Sequence, residues 1–283
     1  MQWQGRRKSD NFDDRRKGGN AGKVAVGGGL IGIVFIIFQL LSGGDASEIM
    51  QMVNDQMMQR EDGTVVELSA EDQRLGDFVA TILADTEDVW HQVFRDNGMR
   101  YKEPKLILFR DAVQSACGGA SSNSGPFYCP ADESVYMDLS FFDILQSQYG
   151  AKGGDFAIAY VIAHEIGHHV QHQLGILREV HSIRSKVSKA EGNKVHVAME
   201  LQADYYAGLW AHHMQQYLSK NDIEQALSAA AAVGNDATQK RSQGYVVEES
   251  FTHGTSKQRT EWFTRGYESG KMADGDTFSV LLN

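Results

Sequence analysis

His164, Glu165 and His168 stand in the spacing His-Glu-x-x-His. Residues four apart share one face of a helix, so both imidazoles can converge on a single ion. The glutamate between them is turned about 100° away by the helical repeat. It is poorly placed as a ligand and well placed to take a proton from a water held at that ion. The surrounding stretch "FAIAYVIAHEIGHH" supports this chemistry, because Phe156, Ala157, Tyr160, Val161 and Ala163 read as a buried helix. Two histidines and a carboxylate on such a helix are expensive unless something satisfies them. Gly167 between the histidines leaves room for another backbone to approach.

Two imidazoles and a water leave a zinc site one protein ligand short. A third histidine in the pattern H-E-x-x-H-x-x-G-x-x-H is excluded, since residues 171 and 174 are Gln171 and Leu174. The stretch "VHVAMELQADYYAGLWAHH" offers carboxylates instead, Glu200 and Asp204, four apart on a helix otherwise made of Val197, Ala198, Leu201, Ala203, Ala207 and Leu209. Buried carboxylates need a cation or donors. Glu200 is taken as the third ligand. Asp204 is taken as the acceptor for the free N–H of a ligand histidine, which fixes its tautomer. The two carboxylates are alike enough that the reverse assignment stays open.

Other residues carry weaker chemistry. His172 follows His168 by four and reads as a partly exposed or supporting residue, and His169 as a surface or interface residue. His212 and His213 suit the negative C-terminal end of their helix. Tyr205 and Tyr206 are either donors to the site or core.

The elements that must position these residues are mostly helical. "SAEDQRLGDFVATILADTEDVWHQVFRDNG" has an N-cap serine at 69, Asp72 three residues on, a helical run of apolar side chains, and Gly98 to stop it. "KLILF", Lys105 to Phe109, reads as a strand, and "SVYMDLSFF", Ser134 to Phe142, as a strand running into a helix. Helices follow at about 154–173, 193–218, 222–234 and 256–269. This order predicts a helix-dominated α+β domain over residues 69–283.

The chain has 283 residues and a net charge of −10, yet residues 1–23 hold seven basic and only three acidic side chains. An acidic bulk argues against a nucleic-acid partner. The basic stretch precedes "VAVGGGLIGIVFIIFQLL", Val24 to Leu41, which has no charge and is just long enough to cross a bilayer. "SGGDASE" after it offers no convincing cleavage site for a signal peptide. The expectation is a basic cytoplasmic tail at 1–23, one transmembrane helix at 24–41, a linker at 42–68, and a domain outside the cytoplasmic membrane, periplasmic in a Gram-negative cell. Cys117 and Cys129 bound a Gly/Ser-rich loop, and in an oxidising compartment they pair. No second cysteine pair exists to complete a metal site.

His-Glu-x-x-His followed by Glu-x-x-x-Asp resembles the glutamate-ligand zinc peptidases, including the membrane-bound prenyl-protease type. The whole chain resembles the YpfJ-type neutral zinc metallopeptidase family more closely. The stretches "MQWQGRRKSDNFDDRR", "AHEIGHHVQ", "ELQADYYAGLWA", "HGTSKQRTEWFTRGYESG" and "DTF" carry the likeness. It implies a zincin-like fold, one catalytic zinc, and hydrolysis of a peptide or protein substrate by endo- or aminopeptidase action. Zincin folds also place a strand along the cleft for substrate to pair with, and Val135 to Leu139 is the candidate. Thr252 and His253 resemble the Thr-His-Pro element of the prenyl-protease type, with Gly254 in place of proline. His253 then reads either as the donor that stabilises the oxyanion or as a capping or packing residue. The rival functions are a zinc-binding envelope scaffold or chaperone without turnover, and a metalloamidase acting on a non-peptide substrate. An intact Glu165 counts against the scaffold, because a structural zinc site needs no base.

Overall fold

The computed structural model describes residues 1–16 and 67–282. Its elements run in the order β1 (Phe12–Asp14), α1 (Ala70–Asp96), β2 (Lys105–Phe109), β3 (Ala112–Ser115), β4 (Gly118–Ser121), β5 (Phe127–Cys129), β6 (Ser134–Asp138), α2 (Ser140–Ser147), α3 (Asp155–Gln173), α4 (Ile176–Arg184), α5 (Lys189–His213), α6 (Lys220–Ala232), α7 (Asn235–Gln243), α8 (Ser256–Ser269) and α9 (Thr277–Leu282). Helices dominate, as α+β. Four helix starts carry a reciprocal capping box: Ser69 with Asp72, Ser188 with Glu191, Ser219 with Asp222, and Thr255 with Gln258. Each satisfies backbone donors that the first helical turn leaves unpaired.

The main sheet has the order β1-β2-β6-β5. β1, β2 and β6 are parallel, and β5 runs antiparallel along the outer side of β6. This corrects one expectation. The strand from Val135 is central, paired on both sides, and has no free edge for an extended peptide. The strand at that edge is β5. The loop between Cys117 and Cys129 is closed by a disulfide with Cα atoms 5.8 Å apart. Inside it, β4 pairs with β3 in a two-stranded hairpin.

The first sixteen residues do not stand apart as a tail. β1 pairs with β2 from Phe12↔Leu106 to Asp14↔Leu108. Arg6 meets Asp85 at 2.6 Å, Arg7 meets Glu87 at 2.9 Å, and Ser9 also donates to Glu87. Asp85 and Glu87 are buried on α1. Two of the basic side chains read as a membrane flank, Arg6 and Arg7, are therefore partners of buried acids on the domain. Trp3 adds an edge-on ring contact with Phe78 of α1. Residues 24–41, where the transmembrane helix is expected, lie outside the described residues, as does nearly all of the expected linker. Among the described residues no helix is long and apolar enough to cross a membrane.

α3 is enclosed by α1, α5, α6 and the β5–β6 edge of the sheet. That is why it is apolar nearly all round, with Phe156, Ile158, Tyr160, Ile162, Ile166 and Val170 all buried. A Cβ at Gly167 would lie 3.1 Å from the Ala203 backbone, so glycine there lets α3 and α5 approach closely. The crossing of α5 and α8 is tighter. A Cβ at Gly208 would meet the Phe263 carbonyl oxygen at 2.0 Å, and one at Gly266 would meet the Tyr205 oxygen at 2.0 Å.

His169 is fully buried rather than at a surface. Its Nε2 donates to the Lys102 carbonyl at 2.7 Å, so its Nδ1 accepts from the Tyr128 hydroxyl at 2.9 Å and ties α3 to β5. Burial pushes its pKa down to about 4. The unfolded chain takes up this proton below its ordinary value of about 6.5, while the folded chain refuses it until near pH 4. Stability is therefore lost as pH falls through that window. Urea unfolding of the metal-free protein should show His169→Gln losing less stability than wild type between pH 7 and pH 5, by about 2 kcal/mol. Equal losses would mean that the ring takes its proton in place.

Candidate metal centre

α3 and α5 bring three side chains together. His164 Nε2 lies 3.3 Å from Glu200 Oε2, and His168 Nε2 lies 3.5 Å from Glu200 Oε1. All three ligand atoms fall within 4.8 Å of one another. Charge-assisted N–H···O bonds close to about 2.8 Å, so these gaps are long for direct pairing. A tetrahedral zinc with bonds near 2.1 Å holds its ligands about 3.4 Å apart. The two histidines and the glutamate thus fit one zinc ion by spacing and by chemistry.

Each ligand has its own support. His164 Nδ1 donates to Asp204 Oδ1 at 2.9 Å, which leaves Nε2 for the metal. Asp204 is fully buried and also accepts from Tyr160 at 2.5 Å and from Arg259 Nε and Nη2 at 2.8 and 2.9 Å. Burial opposes its charge, but Arg259 and His164 outweigh that and hold its pKa at about 2. Burial likewise opposes charge on the His164 ring, yet Asp204 and Glu200 pull it up to about 10. Zinc uptake at Nε2 therefore displaces a proton. His168 Nδ1 donates to Gln171 Oε1 at 2.9 Å, and Gln171 Nε2 donates in turn to the Met199 carbonyl at 2.7 Å. Glu200 stays ionised: burial opposes this, and His168 beside it overcomes it.

Glu165 is buried in the site, and burial raises its pKa against the pull of His168 and His164. His253 Nε2 reaches within 3.9 Å of Glu200 Oε2 from the loop before α8. Asn235 Oδ1 accepts from the backbone N–H groups of Thr252 and His253 and holds that loop. Gly254 has φ of +77°, which proline's fixed φ near −65° cannot supply. The departure from Thr-His-Pro thus has a backbone cause.

Tyr205 and Tyr206 belong to the core. Tyr205 donates to the Lys271 carbonyl at 2.6 Å, and Tyr206 packs edge-on to Trp90. His172 stacks edge-on against Tyr128. His212 and His213 reach the carbonyls of Tyr267 and Gly270 at the end of α8. Four residues of the site escaped the sequence reading: Tyr160, Gln171, His196 and Arg259. His196 sits four before Glu200, the same interval as Glu200 to Asp204. Arg259 shares the buried face of α8 with Trp262, Phe263 and Gly266, where a lone cation requires an anion.

Comparison with known proteins agrees with this centre. The family described as "Putative neutral zinc metallopeptidase" matches residues 1–278. The chain is 45% identical to "Uncharacterized protein YpfJ" of Escherichia coli (strain K12) over 291 aligned positions, covering 100% of both chains. It is 44% identical to "Uncharacterized protein Rv2575" of Mycobacterium tuberculosis over 192 positions, 64% of each chain. No solved structure matches it. The chain belongs to the neutral zinc metallopeptidase family, and that membership implies zinc, which the His164, His168 and Glu200 cluster could hold.

Arg259→Lys keeps the charge but cannot make both bonds to Asp204. Zinc titration against a competing chelator should show about a tenfold to hundredfold weaker affinity, with helix content unchanged. Unaltered affinity would remove Arg259 from the support of the metal.

Proposed function

We propose that the protein is a zinc-dependent peptidase of zincin-like architecture. The observation that carries this reading is the 3.3 and 3.5 Å spacing of two imidazole nitrogens around one buried carboxylate, with Glu165 beside them. The position of the antiparallel edge strand β5 against the helix bearing His-Glu-x-x-His supports the zincin-like assignment. Zinc at the cluster would polarise the scissile carbonyl and acidify a water. Glu165 takes the proton of that water and passes it to the leaving amine. Its raised pKa suits a group that must give the proton back. Glu200, kept ionised, contributes the negative charge of the ligand set. Asp204 and Gln171 hold the two imidazoles with Nε2 directed inward.

The apolar run at 24–41 is proposed to contact the membrane, with residues 1–16 and the domain on one side of it. A single crossing would separate residues 1–16 from the domain and break the β1–β2 pairing. Two of the seven basic residues behind the positive-inside argument, Arg6 and Arg7, are engaged by acids of α1. The disulfide favours an oxidising compartment for both parts.

Two measurements test these readings. Glu165→Gln should keep stoichiometric zinc and lose about three or more orders of magnitude in peptide hydrolysis. Full activity in that variant would sink the mechanism. Cysteines placed at the exposed Lys8 and Lys257 should react alike with an impermeant maleimide in spheroplasts. Labelling of only one would restore the single crossing.

A further inference from the structure

His196 lies on α5 one turn before Glu200 and faces the same way. Its Nε2 is 3.7 Å from Glu200 Oε1, too far for a hydrogen bond. Its other nitrogen, Nδ1, lies 3.3 Å from Arg184 Nη1 at the end of α4. Arginine can only donate, so Nδ1 must accept. The proton of the neutral ring then sits on Nε2, aimed at the ligand cluster. A protonated Nε2 has no lone pair for a metal, so this imidazole is a donor and not a fourth ligand.

We propose that His196 donates from Nε2 to the negatively charged oxygen that develops on the substrate carbonyl during hydrolysis, and that Arg184 is a positioning residue which fixes its tautomer. This rests on the peptidase reading above. The first candidate for that task, His253, fits it less well. Its side chain is 47% exposed against 21% for His196. Its Nδ1 partner is the Thr252 hydroxyl, which can donate or accept and so leaves the tautomer free. His253 also sits on a loop, whereas His196 shares a rigid helix with Glu200. The two rings stand 6.3 Å apart, nearly perpendicular, across the same side of the cluster. His196 is thus a preorganised donor in a mostly water-excluded position, where such a bond has most effect on the transition state.

The test uses two inhibitors with the same side chains on the full-length, zinc-loaded protein. One is a mercaptoacyl dipeptide, whose thiolate binds zinc and carries no oxyanion. The other is a phosphinic peptide, whose second oxygen mimics the oxyanion. Calorimetry should show His196→Ala losing about a hundredfold in phosphinic-peptide affinity. Thiol affinity and zinc content should be unchanged, and His196→Gln, which retains an N–H donor, should recover part of the loss. Equal effects on both inhibitors, or none on either, would overturn the proposal. Loss of zinc in His196→Ala would also overturn it, by making the ring a ligand. Failure of the wild-type zinc protein to bind the thiol would instead overturn the peptidase reading beneath it.

Discussion

The buried carboxylate of Asp204 is the interaction on which the rest depends. A lone ionised carboxylate in a protein core is prohibitively costly, so it must be surrounded by donors. Asp204 receives them from two other helices: His164 and Tyr160 on α3, and Arg259 on α8. The same bonds that make the charge tolerable join three helices and orient a metal ligand. Stability and site geometry therefore draw on the same bonds.

The close helix crossings follow from this requirement. Arg259 can reach Asp204 with both nitrogens only if α8 lies hard against α5. Gly208 and Gly266 permit that approach, where any side chain would strike a backbone carbonyl. Gly167 does the same between α3 and α5. Small residues at the crossings and large ones such as Trp90, Trp210 and Phe263 between them let polar groups meet inside an otherwise apolar core. The sheet contributes a second anchor through His169, whose bonds to Lys102 and Tyr128 fix how α3 lies against β5.

The N-terminal residues change how the charge pattern is understood. Seven basic side chains before an apolar run read naturally as the cytoplasmic flank of a membrane helix. In the structure, Arg6 and Arg7 pair with Asp85 and Glu87, two acids buried on α1. A count of charges along a sequence cannot distinguish a free cation from one that is already paired. The pairing partner here lies about eighty residues away, beyond any local pattern.

Local regularities told a great deal. Periodicity and capping residues located α1, α3, α6 and α8 to within a few residues, and α5 to about a turn at each end, since these signals act within one or two helical turns. Helical spacing singled out His164, Glu165 and His168, and Glu200 with Asp204, because residues four apart share a face in any helix. Short elements without strong periodicity, such as β1, β5, α4 and α7, escaped notice, because they form only against their neighbours. Tyr160, Gln171, His196 and Arg259 escaped for a related reason: the roles of side chains from separate helices depend on how those helices cross. The sequence by itself determined which residues could bind a metal and activate a water. Only the tertiary structure decided which donors hold them, that Val135 to Leu139 is a central strand, and that residues 1–16 complete the sheet. Ligand type and helical phase are local properties of the chain, whereas burial, pairing and sheet order exist only between segments far apart in it.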